Sequence, residues 1–258
     1  MTVLVGVLIA LGGLAAGTVS AWIAHSYVEE PTEEVAVWTP ARCGTCDHTI
    51  SATDVAPPLW WIRHRARCPH CGATMPRSWL AVQLLVPVGM LAMLATFGTR
   101  LVLIPYLWLV PVLVTAATTD ILLMLIPKRI AWIGAGVGAA LIGIVSVVED
   151  VPDAFVHALI GGVGYITFLF VVSIISPGGM GMGDVRLALV LGLYLGWIDL
   201  MLPIVGLLIA CVAGIVMGLG FRIATKGAQR HFPFGPGLAL GTIITIVWFE
   251  PILRALQP

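Results

Sequence analysis

Six side chains in this sequence have the type and spacing to carry chemistry. Cys43-Gly44-Thr45-Cys46 and Cys68-Pro69-His70-Cys71 are two C-x2-C pairs separated by residues 47–67. Two such knuckles can set four thiolates around one tetrahedral zinc ion. Arg42 and Arg67 directly precede the pairs and would offset part of the tetrathiolate charge. Two disulfides or a redox pair are the competing readings. The other two residues are Asp120, after Thr118-Thr119, and Asp184, at the end of Gly178-Gly179-Met180-Gly181-Met182-Gly183-Asp184. Both are embedded in apolar sequence, where an ionisable group is costly and by default marks function. Two carboxylates brought together share a proton, because both cannot ionise cheaply at close range. One can then act as base on a water while the other, protonated, polarises a scissile carbonyl and later gives up its proton. The pair is best treated as a coupled dyad. If Asp184 caps a helix, the helix dipole favours its ionised form. Taken singly, either residue could equally be a helix cap.

The elements that must hold these residues are membrane helices. The chain has 258 residues, of which 59% are hydrophobic and only 10% charged. Its mean hydropathy is +1.04. A soluble domain carries about 25% charged residues, so a soluble enzyme, a disordered chain and a nucleic-acid-binding protein are excluded, and the solvent is a lipid bilayer. Eight stretches approach the ~20 apolar residues of a span: Val3–His25, Trp79–Phe97, Leu101–Thr119, Ile130–Val148, Ala154–Ser176, Val185–Trp197, Met201–Phe221 and Gly237–Leu256. The first lacks a basic n-region and reads as a retained span, not a signal peptide. The expected fold is therefore an all-α polytopic membrane protein of about eight transmembrane helices. Its divisions are a first helix (1–25), a small zinc-ribbon-like four-cysteine insert (26–78) and a seven-helix catalytic membrane domain (79–258).

Basic residues set the orientation. Arg42, Arg63, Arg65, Arg67, Arg77, Lys128, Arg129, Arg186, Arg222, Lys226 and Arg230 fall on one side, against Arg100 and Arg254 on the other. The basic side is cytoplasmic, so both termini face outward and the insert and both aspartates lie at the cytoplasmic face of the plasma membrane. A reducing compartment disfavours disulfides and leaves structural zinc on Cys43, Cys46, Cys68 and Cys71 as the expectation. A segment of this size has too little core to fold well alone, so metal is expected to supply its folding energy. His48, His64 and His70 read as surface residues, Glu29, Glu30, Glu33 and Glu34 as a solvated run, and Trp60-Trp61 as interface anchors. Gly134, Gly136, Gly138, Gly161, Gly162 and Gly164 read as close helix packing.

Several of these blocks together resemble the type IV prepilin peptidases. They are Asp120 with Leu122-Leu123 and Ile126-Pro127, Gly181-Met182-Gly183-Asp184-Val185-Arg186-Leu187, Pro233-Phe234-Gly235-Pro236, and the tandem C-x2-C insert after a first span. The resemblance implies membrane aspartic proteolysis of the GxGD type, with Asp120 and Asp184 catalytic and Gly181 and Gly183 in the active-site loop. It implies prepilin or pseudopilin substrates of type IV pili or type II secretion, cut at the cytoplasmic face after a Gly. It also implies, in many members, N-methylation of the new terminus with S-adenosylmethionine. The chain departs from the family in the region linked to methylation: residues 17–25 lack the usual Asn and Arg, and Gln83 stands where an acid is usual. A transporter or channel using Asp120 and Asp184 as proton or cation sites is the alternative.

Overall fold

The structure is a computed structural model that describes residues 2–29, 41–55, 60, 65, 67–176, 180–224 and 233–256. Long uncharged runs become helices because a helix satisfies its own backbone groups where no water can. In chain order these are α1 (Thr2–Glu29), α2 (Arg77–Phe97), α3 (Leu103–Leu123), α4 (Lys128–Val148), α5 (Pro152–Ile175), α6 (Met182–Ile198), α7 (Leu202–Ala224), α8 (Gly235–Val247) and α9 (Phe249–Leu256). Between α1 and α2 lie β1 (Ala41–Arg42) and β2 (Thr49–Ile50), paired antiparallel with Ala41 opposite Ile50.

Among the described residues, α1 to α5 and α7 are each long and apolar enough to span a bilayer. The last expected span, Gly237–Leu256, is broken: α8 and α9 meet at 77°. Pro251 explains the break, since its ring clashes with the carbonyl four residues back, which is that of Val247, the last residue of α8. The expected sixth span is α6, with 17 residues. At 1.5 Å per residue it covers only about 25 Å. It need not match the lipid, because it is the central helix and no residue from Asp184 to Gly196 is exposed.

Three helix pairs carry most of the packing: α5 with α6, α1 with α2, and α7 with α8. α3 joins them by touching α1, α2, α4 and α8. Tyr106 of α3 donates its hydroxyl to the Tyr194 carbonyl of α6 at 2.7 Å, and Trp197 of α6 donates to Ser146 Oγ of α4 at 2.9 Å. The α5–α6 contact is backbone against backbone. A methyl group at Gly161 would lie 2.6 Å from the Gly192 oxygen and 2.8 Å from Gly196 Cα, whereas Gly136 and Gly164 face open space. The glycine stripes expected from sequence therefore divide into packed and unpacked positions. Gly161→Val must force α5 away from α6, and overpacking of that kind costs about 1–3 kcal/mol. We expect a clear loss of thermal stability in detergent for Gly161→Val and none for Gly164→Val.

The end of α1 meets the start of α2 through His25 and Ser78, where the insert joins the helices. The end of α3 meets the starts of α6 and α8 through Ile126 against Gly183 and Asp120 with Gly235.

Candidate active site and metal centre

The two cysteine knuckles are built alike. Each opens on a cysteine whose carbonyl accepts an N–H from four residues on, Asp47 onto Cys43 at 2.9 Å and Gly72 onto Cys68 at 3.0 Å. Asp47 and Gly72 both take positive φ, 54° and 71°, which turns the chain back directly after the second cysteine of each pair. The four Sγ atoms lie within 4.8 Å of one another, with Cys43 and Cys71 3.8 Å apart. Four thiolates at ~2.3 Å from a tetrahedral zinc would be about 3.8 Å apart, so the cluster has the size of a metal site. The backbone N–H of Thr45, with that of Cys46 adding to it, favours the Cys43 thiolate and lowers its pKa to about 6. At Cys46 the backbone N–H of His48 also favours the thiolate, yet burial and the three neighbouring sulfurs outweigh it and push that thiol up to about 12. Four sulfurs this close cannot all hold charge without a cation. His48 and His70 stack ring on ring at 4.6 Å beside the cluster, and His64 lies outside the described residues.

The insert is fastened to α1 and α2 by directed bonds. Trp22 donates to the Ile50 carbonyl at 2.8 Å, and Gln83 donates to the Val55 carbonyl at 2.8 Å. His25 meets Ser78 Oγ at 2.9 Å and stacks on Trp79. Trp60, expected as an interface anchor, is instead buried and donates to the Arg67 carbonyl at 2.8 Å. An indole N–H needs an acceptor when buried, and the second knuckle supplies it. Trp61, Arg63, Glu30, Glu33, Glu34, Lys226 and Arg230 lie outside the described residues.

Asp120 sits in the last turn of α3 and Asp184 in the first turn of α6. Both are buried, at 6% and 7% exposure. Ile126, in the turn after Asp120, packs on Gly183, which directly precedes Asp184. Asp120 Oδ2 accepts the backbone N–H of Gly235 at 2.7 Å. Gly235 opens α8, whose N-cap Phe234 offers no side-chain cap. Asp120 thus caps α8 from another helix, taking one of its orphan donors and the positive end of its dipole. Asp184 Oδ1 is buried without a hydrogen-bond partner among the described residues. Thr118 and Thr119 bond back to the carbonyls of their own helix and take no part. Met124 then ends α3 in the left-handed region, φ 53°. A non-glycine residue there costs about 1–2 kcal/mol, and the sharp turn delivers buried Ile126 to the space between the two acids' loops.

In the Asp184 turn it is Gly183 that acts by size. Gly181 has ordinary extended geometry, φ −75° and ψ 142°, so no special backbone conformation is required there. Gly183 lies against Ile126: an added methyl would meet Ile126 Cβ at 2.8 Å and its backbone N at 3.1 Å. Gly178 and Gly179 lie outside the described residues. A methyl on Gly235 would fall 2.7 Å from Asp120 Oδ2. Displacing a reacting group by about 1 Å can cost 10²-fold in rate. Gly235→Ala is therefore expected to lower kcat by roughly that factor while the helices still assemble, a result read from cleavage kinetics beside circular dichroism.

A profile described as the type IV leader peptidase family matches residues 107–219, which hold both aspartates. One described as the bacterial peptidase A24 N-terminal domain matches residues 11–97, which hold the four cysteines. A prepilin leader peptidase/N-methyltransferase of Aeromonas hydrophila is 30% identical over 233 residues, covering 88% of this chain and 77% of that protein. The chain belongs to the type IV leader peptidase family. Proteins of the same name from Aeromonas salmonicida (strain A449) and Bacillus subtilis (strain 168) are 29% and 27% identical, covering 82% and 83% of this chain and 72% and 83% of theirs. No solved structure matches. This member of the family is a peptidase and a multi-pass inner-membrane protein. The transporter reading finds no support among these relatives.

Sequence reasoning singled out the block Pro233-Phe234-Gly235-Pro236 but not the role of its glycine. It also missed Ile126 as the residue between the two loops. The Ile126-Pro127 pair beside Asp120 was the available signal.

Proposed function

We propose that the peptidase hydrolyses the leader peptides of prepilins or pseudopilins at the cytoplasmic face of the membrane, with Asp120 and Asp184 as its dyad. The observation that carries this reading is the pair of buried carboxylates at two helix ends, whose neighbours Gly235 and Gly183 both pack on Ile126. One is held by the Gly235 N–H, and the other has a buried oxygen, Oδ1, with no hydrogen-bond partner among the described residues. Sharing one proton, the ionised member takes a proton from water as the water oxygen attacks the scissile carbonyl carbon. The protonated member gives its proton to the carbonyl oxygen. Collapse of the tetrahedral species breaks the C–N bond: the proton taken from water goes to the leaving amine, and one hydroxyl of the tetrahedral species returns its proton to the other carboxylate, which restores the dyad. The names of the relatives supply the substrate class, and the basic residues supply the cytoplasmic side.

In this reading residues 1–25 are a first span, 26–78 the metal-bearing insert and 79–258 the catalytic membrane domain. Zinc is the metal assigned to Cys43, Cys46, Cys68 and Cys71, since an all-sulfur tetrahedral set suits it. Its part is to fold the insert. The relatives' names also include N-methyltransferase, the activity that S-adenosylmethionine would serve. In this chain Gln83 is engaged with the Val55 carbonyl, and no residue is assigned to that cofactor.

The test is incubation of the purified protein with a prepilin, followed by mass spectrometry of the product. The expected product begins just before the substrate's apolar helix. The same spectrum reads an added methyl. An intact substrate would overturn the proposal.

A further inference from the structure

We propose that Ile126 is the spacer that sets the separation of the Asp120 and Asp184 carboxylates, a positioning residue acting through the glycines beside them. The inference rests on the dyad reading above. Ile126 is buried, at 3% exposure, in the turn that follows Asp120. On one side its Cβ, backbone N and backbone O press against Gly183, at 2.8, 3.1 and 3.2 Å from where a methyl would stand. Gly183 directly precedes Asp184. On its other side the Cδ1 lies 3.0 Å from the corresponding point on Gly235, whose N–H holds Asp120. One side chain is thus gripped between the residue before one acid and the residue that holds the other. A β-branched side chain is stiff at χ1, which suits a spacer. Left-handed Met124 fixes where the turn places it. Because the interaction of two charges varies with their separation, a change of spacing alters how tightly the two protonations are coupled.

The experiment uses the full-length protein and two readouts. In the first, an Asp120→Cys/Asp184→Cys variant is treated with thiol cross-linkers of graded length, and mass spectrometry locates the links. Ile126→Ala and Ile126→Val both keep the Cβ facing Gly183 and lose the Cδ1 that reaches Gly235, so the best-yielding length is expected to shift with either. This readout needs no activity, so it stands apart from the dyad assignment, which fails instead if a single aspartate variant still cleaves. In the second, Ile126→Leu, of nearly equal volume but branched one carbon further out, is expected to lower kcat about 10- to 100-fold. KM should stay within about twofold, and the acid and alkaline limbs of the pH profile should move relative to each other. Ile126→Val, which lacks the Cδ1 that reaches Gly235, should move the limbs as well. A volume-filling role predicts instead that Leu is tolerated and that only thermal stability is affected. An unchanged cross-linking optimum in Ile126→Ala, or native kcat and pH profile in Ile126→Leu, would overturn the proposal.

Discussion

Replacing Asp184 with Asn, or Asp120 with Asn, is expected to abolish cleavage while the protein remains folded. Asparagine fills the same space but cannot ionise. The dyad then loses either the group that takes the proton from water or the group that protonates the carbonyl. General acid–base catalysis contributes about 10²–10⁴-fold per positioned group. When neither member can act without the other, the whole effect falls on a single change, so the loss of rate should reach the upper end of that range or exceed it. Folding should be spared for reasons visible at each site. Asp184 Oδ1 has no hydrogen-bond partner to lose among the described residues. At position 120 the amide carbonyl can still accept the Gly235 N–H that caps α8. If the aspartates were only helix caps, cleavage would persist in both variants, because Asn caps a helix about as well as Asp. Cleavage rates in proteoliposomes beside thermal unfolding in the same lipid separate the two.

The second large effect is expected at the metal centre. Cys68→Ser, or strong chelation, should unfold the insert. Structural zinc contributes about 10–16 kcal/mol of apparent binding energy in small zinc modules, far more than so few buried residues can supply. Elemental analysis should give about one zinc per chain in the native protein and almost none in Cys68→Ser. Hydrogen exchange should accelerate at Cys43, Asp47, Cys68 and Gly72, whose backbone N–H groups close the knuckles. The loss should spread to the join with α1 and α2, because Ile50 and Val55 accept the bonds from Trp22 and Gln83. The membrane helices should survive, since their packing does not pass through the insert. A metal-free protein with undisturbed exchange in residues 41–55 would contradict the zinc assignment.

The features legible in sequence were those whose chemistry is local. A C-x2-C pair is a complete knuckle within a few residues, so spacing alone brings its sulfurs together. An Asp in an apolar stretch is conspicuous wherever it falls. Helix spans followed from composition, although α6 escaped the length rule because other helices, not lipid, surround it. What stayed hidden depends on contacts between distant segments. Gly235 lies 115 residues from the Asp120 that it holds, and nothing near position 235 announces a carboxylate. Gly161 and Gly164 look equivalent in sequence, and only the approach of α6 makes the first indispensable to packing and leaves the second facing open space. Trp60 departs from expectation for a related reason. An aromatic in a polar insert near a membrane looks like an anchor until the knuckle it supports is in place. The break before α9 is encoded in Pro251, but the apolar run around it masks the signal.

The central claim is that Asp120 and Asp184 together make the peptidase. Its most direct test is the amino terminus of one prepilin after exposure to the wild-type protein, Asp120→Asn and Asp184→Asn, each reconstituted in the same lipid and read by mass spectrometry. The account predicts a mature terminus just before the substrate's apolar helix with the wild type and intact substrate with both variants. A mature terminus produced at near wild-type rate by either variant would contradict it.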